Sequence, residues 1–351
     1  MVKEIEIAEA LKLTNAIFVD IRAPKEFQEA TIPGAINIPL FNDEERAEIG
    51  TIYKQISPEQ AKLRGLEIAG PKIYSLVKEV KEKAGDKIPV IFCWRGGHRS
   101  KFFAYILNFM DINCLRLIGG YKAFRRLVHR YFSSADLPGA IVLYGNTGTG
   151  KTEIINKLLI EKNLPAIDLE KLANNRGSVF GAIGLGEQPT QKNFEGLLFQ
   201  HLMKVEQSHN FFIVEGESKR IGRLLLPEKF FTTMQTGHKV LIYASIETRT
   251  QRIVETYLKN YWNDPEQRME LSAAVYRLRQ RLGNEKVKTL LEMLLEGNLD
   301  EFARILIEEY YDQVYGFPNH PDPEFDVCIS SDNINECVEE LEKYFRRIAH
   351  V

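Results

Sequence analysis

The chain has 351 residues with a formal net charge of −2, 44% hydrophobic and 27% charged residues, a composition typical of globular proteins. This length predicts two domains rather than one core. No apolar run approaches the 18 or so residues of a membrane helix, the N-terminus has no apolar signal region, and the four cysteines show no C-x-x-C pairing, so we expect a cytoplasmic protein without a membrane segment, disulfide framework or zinc site.

Residues 1–132 alternate strand and helix patterns. Short apolar runs predict strands at 16–20, 34–39, 89–92 and 114–118, and apolar residues at helical spacing predict helices at 58–66, 73–84 and 101–110. This alternation is typical of an α/β domain with a mostly parallel sheet. The Ser- and Pro-containing residues 133–139 are the predicted linker.

A cysteine at the end of a predicted strand opens a Gly- and Arg-rich loop that leads into a helix. The loop N–H groups, the helix dipole and the two arginines favour a thiolate at Cys93, and the same N–H groups accept an oxyanion. We therefore predict Cys93 as catalytic, inside an anion nest of Trp94, Arg95, Gly96, Gly97, His98, Arg99 and Ser100. The alternative is a buried, inert structural cysteine.

Residues 145–152 match the phosphate-binding pattern G-x-x-x-x-G-K-[ST] at every fixed position, between a predicted strand at 140–144 and a helix at 153–160. Backbone N–H groups of such a loop cradle phosphates, its lysine reaches them, and its hydroxyl holds Mg²⁺. The predicted phosphate-binding residues are Gly145, Asn146, Thr147, Gly148, Thr149, Gly150, Lys151 and Thr152. The alternative is a Gly-rich turn without a ligand.

This second domain spans residues 140–351. Further strands are predicted at 165–168, 211–215, 239–244 and 325–329, with a C-terminal helix at 334–348. The segment from about 248 to 315 is almost wholly helical, and we expect it to be an insert in a phosphate-loop α/β domain.

Basic residues are clustered on this nearly neutral chain. Residues 249–288 contain nine Lys/Arg against five Asp/Glu, and residues 116–130 contain five Lys/Arg and no acid. Such clusters suit a polyanion such as RNA, although solvated helix faces are the alternative. The candidate contacts to such a polyanion are Arg249, Arg252, Arg277, Arg279 and Arg281.

The N-terminal domain resembles rhodanese domains. The resemblance rests on residues 20–22, 26–27 and 32–39, on the Cys93 loop, and on the Gly-Gly-Tyr-Lys-Ala-Phe motif at 119–124. It implies that Cys93 carries sulfur or selenium and that Asp20 and Arg22 are structural. The C-x₅-R spacing from Cys93 to Arg99 is one residue longer than in typical sulfurtransferases and fits a tetrahedral oxyanion such as selenophosphate.

The whole chain resembles the tRNA 2-selenouridine synthases, a family that pairs a rhodanese domain with a phosphate-loop domain. Supporting residues lie along 168–222, including the motifs at 168–170, 175–181, 188–191 and 214–222. The resemblance implies a transferase that geranylates wobble 2-thiouridine in tRNA from geranyl diphosphate and then exchanges the geranylthio group for selenium. The implied selenium donor is selenophosphate, made by selenophosphate synthetase, and Mg²⁺ would accompany the diphosphate with no tightly bound organic cofactor.

Three residues of the second domain could support the phosphates or a metal, namely Arg176, Ser178 and Glu215. Their structural alternatives are an ion pair of Arg176 with Glu170 and a helix-capping role for Glu215. For the chain as a whole, one alternative is an ATP-dependent kinase with an accessory rhodanese domain, because residues 248–252 resemble a kinase lid. Another is a tRNA- or nucleotide-sensing protein whose rhodanese domain is vestigial.

Overall fold

The computed structural model describes residues 2–177, 180–181, 183–258 and 264–350. They form two compact units, one of Met1–Ser134 with Thr190–Phe199, the other of Ala135–Pro189 with Gln200–Val351. The predicted boundary left residues 190–199 in the second domain, whereas they pack with the first unit. The Thr31 N–H donates to Asn193 Oδ1 at 2.9 Å, and Arg125 forms an ion pair with Glu195 at 2.5 Å. Sequence periodicity does not report such long-range contacts.

The first unit is a five-stranded sheet in the order β1-β5-β4-β2-β3, and every pair of strands is parallel. Its elements are β1 (Lys3–Ile5), α1 (Ile7–Ala10), β2 (Ala16–Asp20), α2 (Pro24–Glu29), β3 (Ile36–Asn37), α3 (Asp43–Gln55), α4 (Pro58–Ala69), a 3₁₀ turn (Gly70–Lys72), α5 (Ile73–Ala84), β4 (Ile88–Phe92), α6 (His98–Phe109), β5 (Leu115–Leu117) and α7 (Gly120–Ser134).

Helices α3 and α4 begin at residues that the sequence marks well. Asn42 accepts the Glu45 N–H, and Glu45 bonds back to the Asn42 N–H, which completes a capping box at the start of α3. Ser57 accepts the Gln60 N–H before Pro58 at the start of α4, so only two residues separate the helices. Leu40 and Phe41, just before α3, join a buried core with Val19 and Ile91 of the central strands.

The second unit is built on a five-stranded sheet in the order β12-β11-β6-β8-β7, again with parallel pairs throughout. Its elements up to the last central strand are β6 (Gly139–Tyr144), α8 (Lys151–Ile160), β7 (Ala166–Ile167), α9 (Leu169–Ala173), α10 (Gln191–Glu206), β8 (Phe211–Glu215), a hairpin of β9 (Arg220–Ile221) and β10 (Leu224–Leu225), α11 (Glu228–Thr236) and β11 (His238–Tyr243). The prediction of parallel α/β sheets is confirmed.

Helices fill most of the chain between β11 and the last strand. They are α12 (Ile246–Ile253), a π-helix (Val254–Leu258), α13 (Pro265–Arg277), α14 (Arg279–Leu282), α15 (Asn284–Glu296), α16 (Leu299–Ile305), a second π-helix (Leu306–Tyr311) and α17 (Asp312–Tyr315), followed by β12 (Val327–Ser330) and α18 (Ile334–Ala349). Helices α13, α15 and α16 share a buried core that includes Leu271, Leu290 and Phe302. Among the described residues, we find no helix with both the length and the apolar character that a membrane crossing requires.

Candidate functional site

Cys93 lies directly after β4, the middle strand of the first sheet. Its side chain is buried, with Sγ 3.3 Å from the hydroxyl of Ser100 in the first turn of α6. Gly96 has a φ of +62°, and a Cβ there would lie 2.6 Å from the Leu117 carbonyl. The loop therefore needs glycine at this position to turn tightly over the end of the sheet.

The start of α7 holds the Cys93 loop from the other side. The Tyr121 and Lys122 N–H groups donate to the carbonyls of Cys93 and Trp94, both at 2.9 Å. A Cβ on Gly120 would lie 2.1 Å from the Cys93 carbonyl. The Gly-Gly-Tyr motif at 119–121 thus positions the cysteine through backbone contacts that only glycine permits.

Arg99, predicted as part of the anion nest, has a carboxylate partner. Its guanidinium lies 2.8 Å from Glu26, which Arg46 also approaches at 3.5 Å. Burial opposes the charge of Arg99, but the ion pair with Glu26 outweighs it and raises the pKa of Arg99, with the nearby Cys93 adding to the rise. Burial likewise opposes ionisation of Glu26, yet Arg99 and Arg46 lower its pKa. Arg99 is therefore a fixed cation beside the cysteine.

The other residues of the predicted nest divide by exposure. Trp94, Arg95, Gly97 and His98 are exposed, whereas Gly96 and Ser100 are buried. Asp20 and Arg22 form a buried ion pair, and the Arg22 guanidinium lies 4.5 Å from the centre of the Tyr121 ring. That arrangement agrees with the structural role expected for Asp20 and Arg22.

A cavity of about 1610 Å³ adjoins the Cys93 loop within the first unit. Its walls come from the loop itself, from α3 and α4, and from α6. This cavity is not predicted from the sequence, because the pattern that predicts a helix at 58–66 does not show what its apolar side chains face. Exposed apolar residues on that helix, such as Leu66, were the available signal.

The phosphate loop follows β6, the middle strand of the second sheet, and ends at the start of α8. Gly145, Gly148 and Gly150 have positive φ values of 146°, 86° and 81°. A Cβ on Gly145 would lie 2.1 Å from the Ile242 carbonyl, so glycine is required there. These turns leave the loop N–H groups and the N-terminus of α8 as an anion-binding concavity.

Two side chains of the phosphate loop form hydrogen bonds within the protein. Asn146 donates to the Phe317 carbonyl at 2.6 Å, and the Thr149 hydroxyl donates to the Asn146 carbonyl at 2.9 Å. Both side chains are buried. Asn146 and Thr149, predicted to bind phosphate, can therefore offer a ligand only their backbone, while their side chains hold the loop in shape.

Lys151 lies over the loop and donates to the Gly145 carbonyl at 2.6 Å and the Asn146 carbonyl at 3.3 Å. Burial lowers the pKa of Lys151, although the carboxylates of Glu170, Glu217 and Glu215 oppose that shift. A phosphate oxygen would be a stronger partner for this ammonium than a neutral carbonyl.

The Thr152 hydroxyl donates to Glu170 Oε2 at 2.9 Å. Burial, and next the charge of Glu217, raise the pKa of Glu170 to about 7. Burial followed by the charges of Asp168 and Glu170 raises the pKa of Glu215 well above its usual range, and burial raises that of Glu217. Glu170 and Glu217 were not among the predicted site residues.

One further observation supports a Mg²⁺ ion beside these carboxylates. Glu215 Oε1 accepts the Glu170 N–H at 3.2 Å, but Oε2 is buried with no hydrogen-bond partner within the described part of the chain. Hydroxyl and carboxylate oxygens are the ligands that Mg²⁺ prefers. Across residues 2–177, 180–181, 183–258 and 264–350, no group of three or more His, Cys, Asp and Glu could hold a metal unaided. Ligand oxygens would have to complete the coordination.

Arg176 lies in the loop after α9, where its guanidinium donates to the Ile183 carbonyl at 3.0 Å. Ser178, the residue predicted to act with it, lies outside the described residues. The carboxylate of Glu217 lies against Gly177, whose φ is +69°, so this loop closes on the acidic cluster.

The structure divides the five predicted tRNA contacts into two groups. Arg249 is only 1% exposed; it donates to the Thr147 carbonyl at 2.9 Å and forms an ion pair with Asp312. Arg252 is half-buried and donates to the Ser331 carbonyl at 2.5 Å. The prediction that Arg249 contacts RNA is wrong for this structure, because its guanidinium is enclosed behind the phosphate loop.

Arg277, Arg279 and Arg281 are exposed. Arg279 stacks 4.2 Å from the centre of the Tyr276 ring. Leu278 separates α13 from α14, so Arg277 and Arg281 belong to two short helices and not to one uninterrupted helix face. These three residues keep their place as candidate RNA contacts.

Comparison with known proteins gives consistent matches to both units. A Rhodanese-like domain model matches residues 5–127, and a model described as tRNA 2-selenouridine synthase AAA domain matches residues 139–347. The tRNA 2-selenouridine synthase of Hydrogenovibrio crunogenus is 34% identical, with 90% of this chain and 93% of the relative covered. Those of Psychromonas ingrahamii and Shewanella denitrificans are 32% and 33% identical, covering 90% and 85% of this chain and 91% and 87% of the relatives.

Proposed function

The chain belongs to the tRNA 2-selenouridine synthase family, and we propose that it converts wobble 2-thiouridine of tRNA to 2-selenouridine in two transfer steps, by way of an S-geranylated intermediate. It is a tRNA-modifying transferase. The observation that carries the two-step proposal is that two different Gly-rich loops each follow the middle strand of their own parallel sheet. We propose the cytoplasm as its location, because tRNA is used there.

In the first step, the phosphate loop would hold the diphosphate of geranyl diphosphate. The thione sulfur attacks the first carbon of the geranyl group, a C–S bond forms, and the C–O bond breaks with its electron pair leaving on diphosphate. The uracil N3 proton is released to water. The N–H groups of the loop and the ammonium of Lys151 stabilise the charge that develops on the departing oxygen.

A Mg²⁺ ion fits this loop without a dedicated protein cage. Thr152, Glu170 and Glu215 would hold it, together with diphosphate oxygens. Bound there, the ion would neutralise negative charge on the diphosphate. No tightly bound organic cofactor is needed for this chemistry.

In the second step, selenophosphate would deliver selenium at the Cys93 loop. A C2–Se bond forms at the uracil ring, the C2–S bond breaks, and geranylthiolate leaves with the electron pair. Water then cleaves the Se–P bond and releases phosphate. Selenium stays in its reduced state throughout, so the reaction requires no external reductant. Arg99, fixed by Glu26, and the loop N–H groups would bind the tetrahedral oxyanion of selenophosphate beside Cys93.

A second candidate function is phosphoryl transfer from ATP. Arg249 and Arg252 of α12 bond to the phosphate loop from behind, with Arg249 donating to Thr147. Segments of this kind carry arginines that contact phosphates in kinases, and of these two arginines only the half-buried Arg252 is not enclosed. Release of labelled phosphate or a phosphorylated RNA from ATP, at a rate comparable to nucleoside modification, would favour this function.

Mass spectrometry of the wobble nucleoside tests the main proposal. A 2-thiouridine anticodon stem-loop is incubated first with geranyl diphosphate and Mg²⁺, then with selenophosphate. We expect a mass gain of one geranyl group after the first stage, followed by 2-selenouridine. Formation of selenouridine without geranyl diphosphate would contradict the first step. If no geranylated nucleoside forms with either ATP or Mg²⁺ present, the assignment of the phosphate loop to geranyl diphosphate is wrong.

A further inference from the structure

The cavity beside the Cys93 loop has an apolar floor and a basic mouth. Leu40, Phe41, Ala61, Gly65 and Ala69 are buried residues of its lining. A Cβ on Gly65 would lie 3.4 Å from the Phe41 ring, so α4 approaches the floor closely there. The lining also has seven Lys/Arg against three Asp/Glu, and five of the basic residues are exposed, namely Lys25, Lys54, Lys62, Arg95 and Lys101.

Large apolar side chains remain partly exposed on the walls of this cavity. Leu66 on α4 and Tyr53 on α3 are both 56% exposed, Tyr105 on α6 is 47% exposed and Trp94 of the cysteine loop is 39% exposed. All four line the cavity, together with Cys93 itself. A contiguous apolar surface of this kind marks a binding site, and here it is continuous with the candidate reacting cysteine.

We propose that this cavity binds the geranyl chain of the S-geranylated wobble nucleoside while the C2–S bond is broken at the Cys93 loop. The inference rests on the proposed two-step function and adds the place where the leaving group is held. The selenium donor and the uracil ring are polar and do not call for an apolar wall. A ten-carbon geranyl chain requires an apolar wall, because its apolar surface would otherwise stay exposed to water throughout the second step.

The dimensions and the charge of the cavity agree with this occupant. Cavities of roughly 300–1,000 Å³ enclose drug-sized ligands, so about 1610 Å³ accommodates a geranyl chain together with the attached nucleoside. The basic residues at the mouth suit the phosphates of the anticodon loop. A 2-thiouridine without the chain would leave the floor uncovered, which gives the enzyme a means to select the geranylated intermediate over its precursor.

The chain offers matched variants for a test. Leu66 lines the cavity, whereas Leu63 on the same helix does not, and their exposures are 56% and 60%. Binding of the full-length protein to two anticodon stem-loops, one with 2-thiouridine and one with its S-geranyl derivative, is measured by fluorescence anisotropy. We expect Leu66→Asp to weaken binding of the geranylated RNA by roughly tenfold or more and to leave the 2-thiouridine RNA unchanged. Leu63→Asp should change neither.

A second pair covers the opposite wall and guards against a folding defect in the first. Tyr105 lines the cavity from α6, while Phe109, 82% exposed on that helix, does not. Tyr105→Asp should reproduce the selective loss, and Phe109→Asp should not. With the wild-type protein, an RNA carrying a five-carbon S-dimethylallyl group should bind roughly 10- to 100-fold more weakly than the S-geranyl RNA.

Two outcomes would overturn the proposal: equal binding of both RNAs by the wild-type protein, or equal effects of the cavity variants and their controls. Conversion to selenouridine is scored separately with selenophosphate. Selective binding without conversion supports the cavity assignment and defeats the proposed second step. Conversion without selective binding agrees with the proposed function but shows that the cavity is not the geranyl-binding site.

Discussion

The Cys93 loop and the phosphate loop share one backbone design but have different surroundings. Both follow the third strand of a five-stranded parallel sheet, turn on glycines with positive φ and lead into a helix. Around Cys93 the fixed charge is Arg99 paired with Glu26, beside an apolar cavity. Around Lys151 there are three carboxyl groups with raised pKa values. The backbone of such a loop offers N–H groups that suit an anion, and the difference between the two loops lies in the side chains around them.

The largest expected difference between the two loops comes from removal of the cysteine. We expect Cys93→Ala to lower selenouridine formation by at least about 10³-fold and to leave geranylation unchanged, because only the second step is placed at the Cys93 loop. Each step is followed by mass spectrometry of the nucleoside. Cys114→Ala, another buried cysteine in the same unit, is the control and should retain both activities. Wild-type selenation by the Cys93 variant would show that the loop is not the selenium site.

Removal of the loop lysine should have the reciprocal effect. Lys151→Ala should slow geranylation by roughly 10²–10³-fold, because a charge-stabilising donor is lost as diphosphate leaves. Lys157→Ala on the same helix, where the lysine pairs with Glu161, should keep the normal rate. Selenation of an RNA geranylated in advance should proceed in both variants. If both steps fail together in Lys151→Ala, the two loops are not chemically separate.

Stability as a function of pH sharpens the contrast in electrostatics. In the folded protein the pKa of Glu170 is raised to about 7 from 4.5, so the folded state holds a proton that the unfolded state loses. The free energy of unfolding therefore falls as pH rises from about 4.5 to 7. Glu170→Gln does not titrate, so its stability relative to wild type should increase by roughly 3 kcal/mol across that window.

Thermal or urea unfolding at pH 5 and pH 8 measures this difference. Glu187→Gln, an exposed residue of the loop before α10, is the control and should change little between the two pH values. If the difference in free energy of unfolding between Glu170→Gln and wild type is the same at both pH values, Glu170 ionises normally in the folded protein.

The smallest expected effect concerns the exposed arginines that are candidate RNA contacts. Arg277→Ala with Arg281→Ala removes two exposed charges from the second unit. If both contact phosphates, the log–log salt dependence of RNA binding should flatten by roughly one to two units. The control is the pair Lys122→Ala and Arg126→Ala, exposed on α7 of the first unit. Should only the α7 pair flatten the slope, RNA contacts belong to the first unit and not to the helical segment.

The chemistry-bearing loops could be read from the sequence because their signals are local. Glycines at fixed offsets, a strand before and a helix after define the backbone of Gly145–Gly150 and of the Cys93 loop. The capping residues Asn42 and Ser57 similarly encode where helices begin. In both cases the determining contacts join residues a few positions apart, and parallel strand pairing follows from the alternation of short strands and helices.

Only the tertiary structure decided what lies around those loops. The partner of Arg99 is Glu26, 73 residues away, and Arg249 is buried against the phosphate loop across a separation of 102 residues, although a basic pattern predicted it to face RNA. The first part of α10 packs with a unit whose sequence ends more than fifty residues before it. Burial, ion pairing and the cavity beside Cys93 depend on contacts between elements that are distant in the chain. The periodicity of the amino-acid sequence does not predict those contacts.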